Sequence, residues 1–535
     1  MEKERAVNRE NSRVARAAGV VGAATMLSRI FGFIRDMVVA GFFGAGIATD
    51  AFFVAFRIPN LLRRLLGEGS LTVSFVPVFT DYLKKRSREE AFDLANVAFT
   101  ALSSLLVMVT LIGVIFSPLI VTVMAPGFVI SPVRYDLAVF LTRLMFPYIF
   151  FISLVALSMG ILNSLRHFAA PALSPVVLNI AMILAMLTLK GLFSEPIIAL
   201  AVGVLIGGVL QLAMQWPFLI RMGVRLRTDF RFHHPGLRQM GKLLVPSLIG
   251  SAAYQINIFI GTILASLLPG GSVSYLYYAD RLVELPLGVF AIAVGTAALP
   301  SFSEQVSTGD LENLKKTISF SLRLILFVAI PASVALIVLR VPIISVLFQR
   351  GAFGEQSTIF TAQALFFYAL GLWAFSVIRV IDSAFFSLQD RKSPLMASFV
   401  SLFVNVAFSV ALMFPLKHGG LALATSIASA VNVVILAIIL RKKIGLFLDG
   451  EFYHSFSRTV FSSLMMCGAL ILAGYLLSWS NNAPFRLRLH FLVVSILVGI
   501  ATFFVTSYVV KNSEMMIIAD ALKRRIKRGN AGNSQ

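Results

Sequence analysis

The chain has 535 residues, of which 58% are hydrophobic and 13% are charged, and its mean hydropathy is +0.88. A soluble protein of this length needs far more polar surface, so the composition excludes a soluble fold and predicts an all-α polytopic membrane protein. The net charge of +21 does not require nucleic acid as a partner, because basic loops orient membrane helices.

Apolar stretches long enough to cross a bilayer, which takes about 20 residues of helix, follow one another along the whole chain. We predict fourteen transmembrane helices, and because this number is even, both chain ends are expected on the same side of the membrane. The stretches lie near residues 17–43, 50–80, 93–124, 136–163, 171–189, 196–220, 243–268, 275–304, 318–340, 359–387, 394–415, 419–440, 457–479 and 489–511.

Lysine and arginine fall on alternate loops between these stretches. The opposite loops hold none, one or two basic residues each. By the positive-inside rule the basic set is cytoplasmic, which predicts that both termini are cytoplasmic. The basic clusters lie at 84–88, 221–242, 315–316, 391–392, 441–443 and, in the C-terminal tail, 523–528.

The first stretch carries Arg29, Arg35 and Asp36 within a run of apolar residues. Each charge near the middle of a span costs about 2.5–3.5 kcal/mol on an insertion scale. Arg29 and Asp36 are seven residues apart and share a helical face, whereas Arg35 points roughly 120° away. Because facing lipid is prohibitive, we expect these groups to turn toward one another or toward water inside the protein.

The second stretch carries a polar stripe within about 80° of one helical face. Proline and glycine nearby, in RIPNLLRRLLGEGS, indicate a bent or broken helix, as transporters often have at their sites. The stripe consists of Arg57, Asn60, Arg64 and Glu68, and Arg63 flanks it.

The eighth stretch carries a second polar face, formed by Tyr277, Asp280, Arg281 and Glu284. An internal repeat relates it to the second stretch. Pro77 recurs as Pro300 and Pro171 recurs as Pro394 at the same offset, which we call the repeat period. Arg57 in AFRIP corresponds to Arg281 in ADRLV at an offset that is longer by a single position.

The repeat period contains six stretches, so the two halves have the same orientation and a pseudo-two-fold axis along the membrane normal. We therefore predict two pseudo-symmetric six-helix lobes and two added C-terminal helices, with the binding site between the lobes. The lobes are assigned to residues 1–222 and 223–445, and the added helices with the basic tail to 446–535.

Arginines outnumber carboxylates in the first, second and eighth stretches taken together. Arginine suits phosphate, because its planar fork makes bidentate contacts. The sequence thus predicts a cationic cavity for a phosphate-bearing substrate; the alternative for any single charge is a structural ion pair or an arginine at a helix end. The groups are Arg29, Arg35, Arg57, Arg63, Arg64 and Arg281 against Asp36, Asp50, Glu68, Asp280 and Glu284.

We predict no metal, cofactor or catalytic residue. The six histidines lack ligand spacing, the single Cys467 lies in an apolar run, and no phosphate-binding glycine loop is present. Transport energy is then expected from a gradient or from consumption of the substrate. Asp382, three residues after Arg379, is a candidate for a coupling ion or for a structural pair.

The segments TDAFFVAFRIPNLLRR and SVSYLYYADRLVELPLGVFAIAVGTAALPSF closely resemble the MurJ (MviN) family of lipid II flippases, in the MOP superfamily. The similarity runs over nearly the whole chain. It implies transfer of lipid II, the undecaprenyl-pyrophosphate-linked peptidoglycan precursor, from the cytoplasmic to the periplasmic leaflet of the bacterial inner membrane. It also implies alternating access and a requirement for membrane potential.

By motif position, the resemblance places essential cavity arginines at Arg29, Arg35, Arg63 and Arg281, and acidic positions at Asp36 and Asp50, with Glu68 in a thin gate. It implies a groove for the lipid tail beside the last two helices. Lipid II, membrane lipids and the cell-wall synthesis machinery are the expected partners. Where some members bind sodium through carboxylates, this chain offers Gln255, Asn257 and Asn405.

Three rival functions make different demands on the sequence. A MOP flippase for another polyprenyl-pyrophosphate-linked glycan shares the pyrophosphate but not the IPNLLRR signature. A drug exporter of the superfamily is expected to have an acidic or neutral cavity. A membrane-embedded glycosyltransferase or polymerase needs catalytic carboxylates on long periplasmic loops, and the loops near 341–358 and 480–488 are short and lack paired acids. We therefore predict a transporter and not an enzyme.

Overall fold

The computed structural model describes the backbone of residues 2–63, 71–481 and 483–520, and the side chains in these ranges except at 2–18, 62, 72 and 247–254. Every regular element in the described ranges is helical, as the composition predicts. Arg64 and Glu68 of the predicted polar stripe lie outside the described residues.

The chain forms two compact units, Met1–Ser274 and Tyr275–Gln535. The predicted boundaries at 222/223 and 445/446 stay predictions. The helices of the first unit are α1 (Glu2–Phe43), α2 (Ile47–Leu62), α3 (Leu71–Lys85), α4 (Arg88–Ile115), α5 (Ser117–Met124), α6 (Pro132–Met145), α7 (Tyr148–Ser164), α8 (Ala169–Leu189), α9 (Ile197–Arg221) and α10 (Pro235–Ser266).

The boundary between the two units falls within α11, because the residues of this helix up to Ser274 belong to the first unit and those from Tyr275 to the second. Its helices are α11 (Ser272–Pro286), α12 (Ile292–Ser307), α13 (Leu311–Val338), α14 (Arg340–Leu347), α15 (Glu355–Leu370), α16 (Leu372–Ser387), α17 (Lys392–Leu416), α18 (His418–Ile444), α19 (Gly450–Leu476) and α20 (Phe485–Val509).

Ten described spans are long and apolar enough to cross a membrane, or eleven if α15 and α16, bent by 42° at their junction, count as one. Two of the ten combine consecutive helices, over Pro132–Ser164 and Ser272–Ser307. The polytopic architecture is therefore confirmed, whereas the exact number of fourteen spans stays a prediction.

The helix starts show the internal repeat in atomic detail. Helices α4 and α13 both have 28 residues, and their first residues are one repeat period apart. Ser87 caps α4 by accepting a hydrogen bond from the Glu90 N–H at 3.0 Å, and Asp310 caps α13 by accepting one from Asn313 at 3.1 Å. Both residue types satisfy the free N–H groups of a first helical turn. The two helices therefore begin at equivalent positions of the repeat, each after a capping residue.

The turns that follow α7 and α16 also repeat. Arg166 and Gln389, again one repeat period apart, are non-glycine residues with φ values of +63° and +57°. The next residue donates its N–H to the carbonyl five positions earlier, at 2.8 Å from His167 and 3.0 Å from Asp390. This bond is the outer one of a Schellman-type helix end. The backbone thus repeats at the period that the sequence predicts.

Each unit has its own apolar core. In the first, Phe75, Phe79 and Leu94 pack between α3, α4 and α7, and in the second Phe302 and Phe385 pack among α12, α13, α16 and α18. Phe79 and Phe302 are separated by the repeat period, and both are fully buried. Matching cores at matching positions explain why one helical pattern is stable in both copies.

The two helices beyond the repeat pack on α13. The rings of Phe327 on α13 and Phe503 on α20 have centroids 5.0 Å apart. Arg323 on α13 forms an ion pair with Glu451 on α19, and it lies 3.3 Å from Glu514, which follows α20 and whose side chain is fully buried. A buried carboxylate needs such a partner, so this contact fixes the added helices to the second unit.

Candidate functional site

Arg35 and Asp36 form a buried ion pair on α1, at 7% and 2% exposure. Arg35 donates from both Nε and Nη2 to Asp36 Oδ1, at 3.1 and 2.7 Å. Because the two charges compensate each other, an apolar helix can carry them away from water. In this conformation Arg35 is packed within the protein.

Asn179 on α8 completes this cluster, and it is not among the residues predicted from the sequence. Its Oδ1 accepts from Arg35 Nη1 at 3.0 Å, and its Nδ2 donates to the Ser28 carbonyl at 3.3 Å. Asn179 is 6% exposed. A single amide within an apolar span is a signal that could have identified it, since polar groups inside a membrane face the protein interior.

Arg29 differs sharply from Arg35 although it lies on the same helix. It is half-buried, and among the described residues no side chain makes a hydrogen bond or ion pair with it. A cation in this setting is ready to bind an anion. Of the two arginines predicted on α1, Arg29 is thus the one available to a ligand.

Asp50 on α2 lies at the N-terminus of α11. It is 1% exposed and accepts hydrogen bonds from the N–H groups of Gly271 and Ser274 at 2.7 and 2.9 Å and from Ser274 Oγ at 2.6 Å. An anion is stabilised there by free N–H groups and by the helix dipole. The sequence predicted Asp50 for the site but could not show this partner.

The other described residues of the stripe on α2 are half-buried. Arg57 Nη1 donates to Thr262 Oγ1 on α10, and Arg63 Nε donates to Asn60 Oδ1 at 3.0 Å. These contacts hold the guanidinium groups by neutral oxygens. Thr262 and Asn60 thus help to position the two guanidinium groups.

In the second unit, Arg281 is held along α11. Its Nη1 donates to Glu284 Oε2 at 2.8 Å and its Nη2 to Tyr277 Oη at 3.1 Å, with the guanidinium carbon 5.1 Å from the centroid of the Tyr277 ring. Asp280 and Glu284 are exposed. An exposed ion pair contributes little stability, so an anion can replace Glu284 at small cost.

Comparison with known proteins decides between the functions that such a constellation allows. The sequence profile of the lipid II flippase MurJ family matches residues 39–489. The chain belongs to this family. A probable lipid II flippase MurJ of Vibrio cholerae serotype O1 is 37% identical over 470 residues, which cover 86% of this chain and 88% of the relative. One of Rhizobium meliloti is 34% identical over 520 residues, covering 96% of each.

Solved structures agree with this family. A lipid II flippase MurJ in an inward closed conformation superposes with a TM-score of 0.75 at 28% identity, covering 91% of this chain and 98% of that one. An inward-facing multidrug MATE transporter of the MOP superfamily gives a TM-score of 0.65 at 16% identity, with coverage of 80% and 98%. The second likeness shows only the fold, so the fold alone does not separate MurJ proteins from drug exporters.

Proposed function

We propose that this protein flips lipid II from the cytoplasmic to the periplasmic leaflet of the bacterial inner membrane and that it is a transporter without catalytic chemistry. The match to the MurJ family over residues 39–489 carries the proposal. A pyrophosphate headgroup is anionic and cannot cross about 30 Å of hydrocarbon unaided. Positively charged side chains within the protein would compensate its charge during the crossing.

In this proposal the pyrophosphate is bound by Arg29 and Arg281, and Arg57 and Arg63 contribute further positive charge. Arg29 has no partner among the described residues, and Arg281 has an exposed carboxylate that an anion can displace. The planar guanidinium forks make bidentate contacts with phosphate oxygens. Contacts with the arginines then replace the water molecules around the headgroup, while the polyprenyl tail stays in the bilayer.

The orientation and the two-lobe mechanism are part of the proposal. The alternation of basic and sparse loops supports cytoplasmic termini. The helix boundaries that recur after one repeat period support two lobes that open alternately to each side. Membrane lipids and the cell-wall synthesis machinery are the proposed partners beyond the substrate.

The membrane potential is the proposed energy source. Moving one elementary charge through the full field is worth about 2.3 kcal/mol per 100 mV, so an empty cationic carrier is drawn toward its inward-open state. Bound pyrophosphate neutralises the charge and releases this bias. When an ionophore collapses the potential, cysteine reporters on the periplasmic rim should become more accessible; an unchanged or lower accessibility refutes the resetting role.

Depletion of the protein in its host tests the function. Lipid II should accumulate in the cytoplasmic leaflet within a few generations, and a plasmid copy should restore its periplasmic exposure. The alternative is a flippase for another polyprenyl-pyrophosphate-linked glycan. In that case lipid II distribution stays normal while the other lipid accumulates.

A further inference from the structure

Three positions of α1 meet one side chain of α8. Ser28, Gly32 and Arg35 recur at spacings of four and three residues, so they share a helical face. Asn179 bonds Arg35 at 3.0 Å and the Ser28 carbonyl at 3.3 Å, and a Cβ built on Gly32 lies 3.5 Å from Asn179 Nδ2. This is an ordinary van der Waals distance, so the amide of Asn179 packs against α1 at Gly32.

The orientation of this amide is fixed by chemistry. The guanidinium of Arg35 has only donors and the Ser28 carbonyl only accepts, so Asn179 must present its oxygen to the first and its nitrogen to the second. We call the contacts of Asn179 with Ser28 and Arg35 the Asn179 bridge. It spans two turns of α1, and its bond to Arg35 is charge-assisted and therefore strong.

We propose that Asn179 is a positioning residue for Arg29, which it orients by fixing the rotation of α1 through the Asn179 bridge. Arg29 follows Ser28 by one residue, which is about 100° around the helix. No described side chain makes a hydrogen bond or ion pair with Arg29, so the rotation of α1, which sets the direction of its Cα–Cβ bond, determines the side of the helix from which the side chain extends. The inference rests on the proposed function in one respect, namely that the ligand of Arg29 is a pyrophosphate.

The second repeat supports a functional role for the bridge. The positions one repeat period after Arg35, Asp36 and Asn179 hold apolar residues, namely Ile258, Phe259 and Leu402. The repeated backbone therefore does not depend on a charge pair and an amide at these positions. The polar residues Asn257 and Asn405 of the second copy stand at other positions, so this charge pair with its amide is specific to the copy that contains Arg29 and is not required by the shared helical fold.

Thiol labelling tests the positioning directly. In a Cys467→Ser background with Arg29→Cys as reporter, purified protein in nanodiscs is treated with a water-soluble methanethiosulfonate. Asn179→Leu, of similar size but without hydrogen bonds, should change the labelling rate of the reporter by about tenfold or more, the factor expected from losing a bond to a charged group.

Ser174→Ala is the matched control on the same helix. Ser174 is 1% exposed and its Oγ accepts from Gln211 Nε2 on α9 at 3.1 Å, so this variant also loses a buried hydrogen bond of α8 but leaves α1 untouched. It should change the labelling rate by less than about twofold. Equal changes in the two variants, or no change in Asn179→Leu, overturn the proposal.

A binding arm separates this inference from the proposed function. With Arg29 intact, Asn179→Leu should weaken binding of undecaprenyl pyrophosphate about tenfold, and adding Arg29→Ala should cause little further loss, because the two act as one unit. Additive losses contradict positioning. If the unsubstituted protein does not bind the probe while labelling still responds to Asn179→Leu, the positioning stands and the pyrophosphate assignment fails.

Discussion

The two repeats share a backbone but not all of their charges. Their caps, turns and cores coincide when one copy is shifted by the repeat period, down to single hydrogen bonds. In contrast, the buried pair Arg35 and Asp36 in the first repeat corresponds to Ile258 and Phe259 in the second. A helical membrane fold needs caps, turns and apolar cores, whereas a buried charge pair is costly within a membrane. Charges that break the repeat, such as this pair, therefore point to function.

The largest expected effect comes from the arginines proposed to bind pyrophosphate. Arg29→Lys and Arg281→Lys should each reduce flipping about 10- to 100-fold, because lysine keeps the charge but loses the bidentate fork. Growth of a depleted strain at matched expression is the measurement. Arg238→Lys, at an exposed residue, is the control and should grow normally. Normal growth of both variants would favour a purely electrostatic attraction.

The buried pair gives the sharpest test of the comparison. Arg35→Ile alone removes the guanidinium that compensates the buried charge of Asp36, which should cost about 3–5 kcal/mol of stability. The double variant Arg35→Ile/Asp36→Phe copies the second repeat and should recover most of that stability while flipping stays lost. Thermal unfolding and complementation measure the two quantities. A double variant that is no more stable than the single one contradicts the view that the fold can dispense with the pair.

Asp50 should have a smaller effect, of structural origin. Asp50→Ala leaves the Gly271 and Ser274 N–H groups at the start of α11 without their acceptor, at a cost of about 1–3 kcal/mol. Ser274→Ala removes only the hydroxyl bond and should cost about 1 kcal/mol. Melting temperatures in detergent compare the two. Equal losses would show that the backbone bonds of Asp50 add no stability.

The smallest effect concerns Asp390, in the turn between α16 and α17. Burial alone would raise its pKa, but hydrogen bonds from the Ser393 side chain and backbone and the ion pair with Lys443 at 3.0 Å hold the pKa of this carboxyl well below its usual range. Its stabilisation is thus present above the ordinary pKa of about 3.9 and is lost as pH falls through the folded pKa.

Asp390→Ala should accordingly lower stability by about 1 kcal/mol at neutral pH, as for the loss of a helix cap, and by less below about pH 3.9. Unfolding midpoints of both proteins at pH 7, 5 and 3 measure this. A difference that stays constant to pH 3 would mean that the carboxylate charge is not what stabilises the turn.

Much of the fold could be predicted because its determinants are local. Apolar runs predict the helices, and the shared offset of Pro77 to Pro300 and of Pro171 to Pro394 predicts the repeat, without knowledge of any contact. The partners within the site could not be predicted in this way. Asp50 meets Gly271 and Ser274, which are far away in the sequence, and nothing near Asp50 or Asn179 in the sequence specifies which helix faces it.

Arg35 shows a second kind of limit. Helical geometry places the Cβ of Arg35 away from the face shared by Arg29 and Asp36. The sequence therefore could not decide whether Arg35 contacts another charge or water. In the structure the long side chain turns back to the adjacent Asp36 at 2.7 Å. A helical wheel locates Cβ atoms, whereas a flexible arginine places its charge several ångströms away.

Equilibrium binding of undecaprenyl pyrophosphate to the purified protein tests the central claim most directly. Two arginine forks on a pyrophosphate predict tighter binding of this lipid than of undecaprenyl monophosphate, and about a tenfold or greater loss of that preference in Arg29→Lys and Arg281→Lys. Equal affinity for the two lipids, with both variants binding like the unsubstituted protein, would contradict pyrophosphate recognition by Arg29 and Arg281.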